Sequence, residues 1–138
     1  MNIVIDIDNM KFSSKITKEE LEYIYPNAIL KKYNNVVGYA ITGVIFKMNY
    51  PSDIVFYFID NALSQICVFP TKERLNSKSF NIEESYNEYN NALESNYGKR
   101  LSSIFKKQKT WHFSDATIKH YLFERFGMEE MLEINFKK

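Results

Sequence analysis

The sequence predicts an α+β fold in which an antiparallel β-meander sheet carries two helices packed on one face. The densest run of β-branched and aromatic residues covers 36–70, and turn residues interrupt it at 49–53 and at 60–61. Short strand-like runs separated by Asn, Asp and Pro are typical of antiparallel hairpins. A helical repeat at 82–97 and three strand-like runs after it complete the pattern.

In chain order the prediction is β-α-β-β-β-β-α-β-β-β within a single domain, 1–138. A first strand at 3–7 precedes a short helix, which begins at the capping box of Thr17 and Glu20 and ends before Pro26. The run at 54–59 is apolar on both parities, which favours a central strand covered on both sides. A chain of 138 residues is long enough to bury a sizeable core.

The second helix is the best defined. Asn81 has the position of an N-cap, Glu84 follows three residues later, and Gly98 stands where a C-terminal glycine belongs. Its apolar residues step by three or four, so one face should pack on the sheet: Ile82, Tyr86, Tyr89, Leu93 and Tyr97. Strands are then predicted at 110–113, 117–126 and 130–137.

Composition argues against several classes of function. The formal net charge of +1 does not suit a dedicated nucleic-acid binder, and no segment approaches the ~18 apolar residues of a membrane span. The N-terminal segment has Asp6 and Asp8 where a signal peptide needs basic and then apolar residues. We therefore expect a cytoplasmic protein that binds neither nucleic acid nor membrane. Its oligomeric state is not predicted.

The residues that carry chemistry are sparse. His112, His120 and the single Cys67, which lies in an apolar run, form no metal-ligand spacing, and no Gly-rich phosphate loop or nucleophile elbow is present. Asp6 and Asp8 could share a Mg²⁺ ion, but we interpret them as solvated charges on an edge strand. We expect no catalytic residues, no metal site and no cofactor.

The strand at 117–126 carries the candidate binding surface. One parity holds Ile118, Leu122 and Phe126, which suit a core, and the other mixes aromatic and basic residues, which suit a protein-binding patch: Lys119, Tyr121, Phe123 and Arg125. The runner-up surface is the acidic start of the second helix: Glu83, Glu84 and Glu88.

Two resemblances add to these patterns. The helix ending in Asn96-Tyr97-Gly98-Lys99 and the strand bearing Trp111 resemble, in fold style, SmpA-like lipoproteins and β-lactamase-inhibitor-like helix-plus-meander domains. Residues 1–12 do not have the pattern of a signal peptide followed by a lipidated Cys, so we do not expect the envelope role of those lipoproteins. In overall profile, low in Gly and rich in Asn, Lys and Tyr, it is similar to the immunity proteins of bacterial contact-dependent inhibition systems.

The second resemblance implies a non-catalytic inhibitor that binds and blocks one cognate bacterial toxin domain. Two alternatives stay open: a secretion or assembly chaperone, and an enzyme with a dispersed site. Secretion chaperones are usually strongly acidic, whereas this chain has a pI of about 7.7. An enzyme would have to assemble its site from residues far apart in the sequence.

Overall fold

In a computed structural model that describes residues 1–101, 107–124 and 127–137, the chain has an α+β fold with a seven-stranded antiparallel sheet. Its elements, in order, are β1 (Ile5–Ile7), β2 (Met10–Phe12), α1 (Lys18–Ile24), β3 (Ile29–Tyr33), β4 (Val36–Gly43), β5 (Ser52–Ile59), β6 (Ala62–Pro70), α2 (Lys72–Leu75), α3 (Ile82–Tyr97), β7 (Gln108–His112), β8 (Ala116–Glu124) and β9 (Met128–Phe136).

The main sheet consists of two meanders joined at one strand pair. Its strand order is β3-β4-β5-β6-β9-β8-β7, so the last strand of the second meander, β9, pairs with the last strand of the first, β6. The β6–β9 register pairs Ile66 with Ile134 and Val68 with Leu132. The α2 and α3 helices connect β6 to β7, and β9 lies antiparallel to β6.

The sheet has one covered and one open face. The covered face is formed by apolar side chains aligned across the strands, including Tyr39, Ile54, Phe56, Ile66, Leu132, Ile134, Ile118 and Trp111. Strand β5 shows the alternation, since Ile54 and Phe56 are buried whereas Val55 and Tyr57 are half-buried. The sequence expectation that both sides of this strand are covered is met fully on one side only, since Val55 and Tyr57 on the other side keep partial exposure.

The α3 helix packs on the covered face with the predicted apolar repeat. Tyr86, Tyr89 and Leu93 are buried, and the two ends of the repeat, Ile82 and Tyr97, are half-buried. The side chain of the N-cap residue accepts a hydrogen bond from the main-chain N–H three residues on, at 3.0 Å. Two polar side chains, Ser85 and Asn90, are buried on this face as well, which an apolar pattern does not reveal.

The N-terminal strand pairs with β2 as a separate two-stranded sheet, and its acidic residues are structural. Asp6 is 4% exposed and accepts from Lys11 Nζ at 2.6 Å. Asp8 accepts from the Val44 N–H and the Tyr25 hydroxyl, both at 2.8 Å. The expectation of solvated charges is therefore wrong for Asp6, which is buried and paired with Lys11 of the same hairpin. Asp8 is exposed, as expected, and its carboxylate attaches the hairpin to Val44 and Tyr25.

Two short elements extend the predicted order. Strand β2 was not predicted, because its three residues are too few for a clear alternating pattern. The polar segment 71–79 contains the second addition, α2, whose N-cap Thr71 accepts from the Arg74 N–H at 3.3 Å. Neither addition changes the α+β class or the antiparallel sheet.

Candidate functional site

The open face of the sheet is an accessible surface that extends over six strands. It is formed by the side chains of alternate residues in β4–β9, and among the described residues of these strands only Gly38 and Cys67 are buried there. Six strands have five spacings of about 4.8 Å, so strands about 26 Å long give a projected area on the order of 600 Å². Each partner in a standard protein interface contributes about 800 Å².

Strand β8 divides its residues between the two faces. Ile118 and Leu122 are buried on the covered face, whereas Lys119 is exposed and Tyr121 and Phe123 are half-buried on the open face. The alternate residues of β8 that the sequence predicts as the binding surface thus lie on the open face. Arg125, the fourth residue of that candidate patch, lies outside the described residues.

Tyr121 and Phe123 form an aromatic pair on this face. Their ring centroids are 5.6 Å apart, with an interplanar angle of 38°. The β8–β9 register places Met131 opposite Tyr121 and Glu133 opposite Lys119. Aromatic and methionine side chains in neighbouring positions resemble the composition of a binding patch more than that of a solvated sheet face.

The acidic runner-up surface on α3 is partly neutralised within the chain. Glu88 Oε2 accepts from Arg74 Nη2 at 3.0 Å, and Glu83 lies 3.8 Å from Lys107 Nζ. Glu84 is exposed. With two of its three carboxylates paired, this surface offers a weaker electrostatic attraction to a basic partner than the sequence suggests.

His120 lies on the other side of β8, in a buried polar cluster beneath α3. The His120 Nε2 atom is hydrogen-bonded to Glu130, and Nδ1 lies 2.7 Å from Asn90 Oδ1. The Ser85 hydroxyl donates to Glu130 at 2.8 Å, and the Tyr86 ring stacks on the imidazole at 4.4 Å. Because His120 is 0% exposed, this cluster links α3 to the sheet and offers no access to a substrate.

Burial lowers the pKa of His120 below its ordinary value of 6.5, against the opposing effect of the Glu130 carboxylate, and Lys109 lowers it further. A neutral ring that donates from Nε2 to Glu130 has an acceptor at Nδ1. The Asn90 amide satisfies this acceptor in the orientation that places its nitrogen, instead of Oδ1, toward the ring. The folded chain then binds fewer protons here than the unfolded chain at mildly acidic pH.

We therefore expect the free energy of unfolding to fall between pH 7 and pH 5, where the unfolded histidine takes up a proton more readily than the folded one. Urea titrations across this range measure the effect. The change should disappear in His120→Gln and persist in His112→Gln, which replaces an exposed histidine. A stability that rises toward pH 5 would show that the folded ring is charged.

The remaining candidate groups are placed as follows. Cys67 is buried, and burial together with Glu133 raises its pKa to about 11, so its thiol is not activated. Within residues 1–101, 107–124 and 127–137, no group of three or more His, Cys, Asp or Glu side chains is arranged to hold a metal ion. The segment 99–109 is rich in Lys and Arg, and its residues 102–106 lie outside the described part of the chain.

A groove that the sequence did not suggest lies at the β3 end of the open face. This cavity of about 870 Å³, the β3 groove, is bounded by the end of α1, strands β3–β6 and α2. Its apolar lining includes Ile29, Val55 and Phe69, and Lys31 and Lys72 also line it. The only hint of this groove in the sequence is the apolar Ile29 in a strand that also carries lysines. The sequence does not show that α2 folds beside that strand.

No protein-family model, curated protein or solved structure matches this chain. In the part of the chain that the structure describes, no helix has the length and apolar character needed to cross a membrane.

Proposed function

We propose that this chain is a non-catalytic protein-binding module, an immunity-type inhibitor that acts in the cytoplasm by binding and blocking a cognate bacterial toxin domain. The observation that carries the proposal is the open face, with the Tyr121–Phe123 pair half-exposed at its β8 end. A soluble domain rarely leaves so large a partly apolar surface without an interaction that covers it.

The chemistry of the face suits a protein more than a small molecule. Small-molecule sites are concave and enclose the ligand, whereas β8 and β9 present a row of side chains on an extended sheet. Tyr121 and Phe123 supply large contact areas with few rotatable bonds, and Lys119 adds a charge at the same patch. An inhibitor of this kind needs a complementary surface and no reactive group of its own.

The experiment is a capture with the immobilised chain, with the Tyr121→Ala/Phe123→Ala double variant as the matched control. We expect one protein to be retained by the native chain and not by the variant, and its enzymatic activity to fall to zero at a 1:1 molar ratio. A partner whose activity is unchanged at a tenfold excess of the chain would contradict the inhibitor function. Equal capture by the variant would contradict the assignment of the surface.

A further inference from the structure

Strand β3 is an edge of the main sheet whose side chains are all exposed. It pairs with β4 on one side, and all five of its residues are exposed, with Ile29 at 64%, Leu30 at 45% and Tyr33 at 78%. In an antiparallel ladder every second residue of an edge strand directs its N–H and C=O away from its neighbour. Such a row of backbone groups is a template for pairing with an additional strand.

The β3 groove lies beside this edge. Ile29 and Lys31, which point to the open face of the sheet, both line the groove. A segment paired with β3 would place alternate side chains on the open face, next to that cavity. Domains that bind by strand addition combine these two features, since main-chain hydrogen bonds provide affinity and a neighbouring pocket for alternate side chains provides specificity.

The charge of the edge indicates the composition of the segment. Lys31 and Lys32 occupy the middle of β3, the register places Gly38 and Val37 opposite them in β4, and neither forms an ion pair with the described residues. Lys72 adds a third positive charge at the groove. The only acidic side chain in the groove lining is Asp53, which already accepts from the Thr42 hydroxyl at 2.9 Å.

Self-pairing suits this edge poorly. The two central two-fold antiparallel registers of β3 each place one lysine opposite its own copy, either Lys31 opposite Lys31 or Lys32 opposite Lys32. Like charges placed directly opposite each other destabilise a strand pair. A strand with carboxylates at these positions places opposite charges there instead.

We propose that β3 binds an extended acidic segment of the protein partner as an added antiparallel strand, with an apolar side chain of that segment in the β3 groove. The strand sequence Ile29-Leu30-Lys31-Lys32-Tyr33 then specifies its complement. Read from its own N-terminus, the segment is apolar, acidic, acidic, apolar, apolar. The inference rests on the proposed protein-binding function and adds a second contact, at the opposite end of the sheet from Tyr121.

The test uses two blocked synthetic peptides with the cores Val-Glu-Glu-Val-Val and Val-Lys-Lys-Val-Val, added to the full chain, with amide hydrogen exchange measured by NMR. We expect the acidic peptide to slow exchange of the outward-facing β3 amides at least tenfold and the basic peptide to have no effect. The Lys31→Glu/Lys32→Glu variant, which changes exposed residues only, should reverse this preference.

Three results would overturn the inference: neither peptide slows exchange in β3, both slow it equally, or β3 is already protected without peptide in proportion to protein concentration, which would assign the edge to a second copy. The Tyr121→Ala/Phe123→Ala variant separates the two proposals. It should bind the acidic peptide normally. If the native chain captures its partner but does not bind the peptide, the edge site is wrong and the open-face function stands. If the native chain binds the peptide but captures no partner, the edge site stands.

Discussion

Replacing Glu130 by Ala should lower the free energy of unfolding by about 2–4 kcal/mol, because it leaves two buried donors, on His120 and Ser85, without their acceptor. The Glu130 side chain is 5% exposed and is hydrogen-bonded to both His120 and Ser85. Its removal leaves the His120 ring and the Ser85 hydroxyl without their partner beneath α3, where water cannot replace it.

Urea unfolding followed by Trp111 fluorescence measures this loss, because Trp111 is buried on the same face. The matched control is Glu129→Ala, one residue earlier in β9 and exposed, which should change stability by less than about 0.5 kcal/mol. Glu130→Gln should lose less stability than Glu130→Ala, because the amide keeps an acceptor oxygen. A loss below about 1 kcal/mol for Glu130→Ala would mean that the cluster is not closed to water.

The elements with a strong local signal were predictable from the sequence. The α3 helix has an N-cap, a regular apolar repeat and a terminal glycine, and each is local chemistry that tertiary contacts did not override. The turns at Asp60-Asn61 and Asn34-Asn35 also lie where hairpins form, and Asn34, Asp60 and Asn61 all have positive φ. The order of strands across the sheet was not predictable, because the β6–β9 pairing joins residues about 70 positions apart.

The candidate site was only partly predictable, for a related reason. Alternation in β8 distinguishes its two faces, so Lys119, Tyr121 and Phe123 could be grouped on one parity before the fold was known. The His120–Glu130–Asn90 cluster could not be found in this way, since its members come from three elements and polar residues give no periodic apolar signal. The pairing of Glu88 with Arg74 also depends on tertiary contacts, because it needs α2 beside α3.

Replacing Tyr121 and Phe123 together by Ala should weaken binding of the partner by about 2–6 kcal/mol, taking about 1–3 kcal/mol for each anchor residue. The two rings contact one another, so the two single-variant losses need not add. Because the contacts are aromatic rather than ionic, the affinity should change little between 0.15 and 0.5 M salt. Binding through Glu83, Glu84 and Glu88 would instead weaken markedly over this range.

The most direct test of the open-face assignment measures both binding and stability for Tyr121→Ala and Phe123→Ala. Calorimetric titration gives the loss of binding free energy, and urea unfolding of the same samples gives the loss of folding free energy. The assignment predicts a binding loss of about 1–3 kcal/mol for each variant, larger than its loss of stability. Variants that bind a verified partner with native affinity but unfold more easily would show that the two rings belong to the core, and would contradict the assignment of the open face.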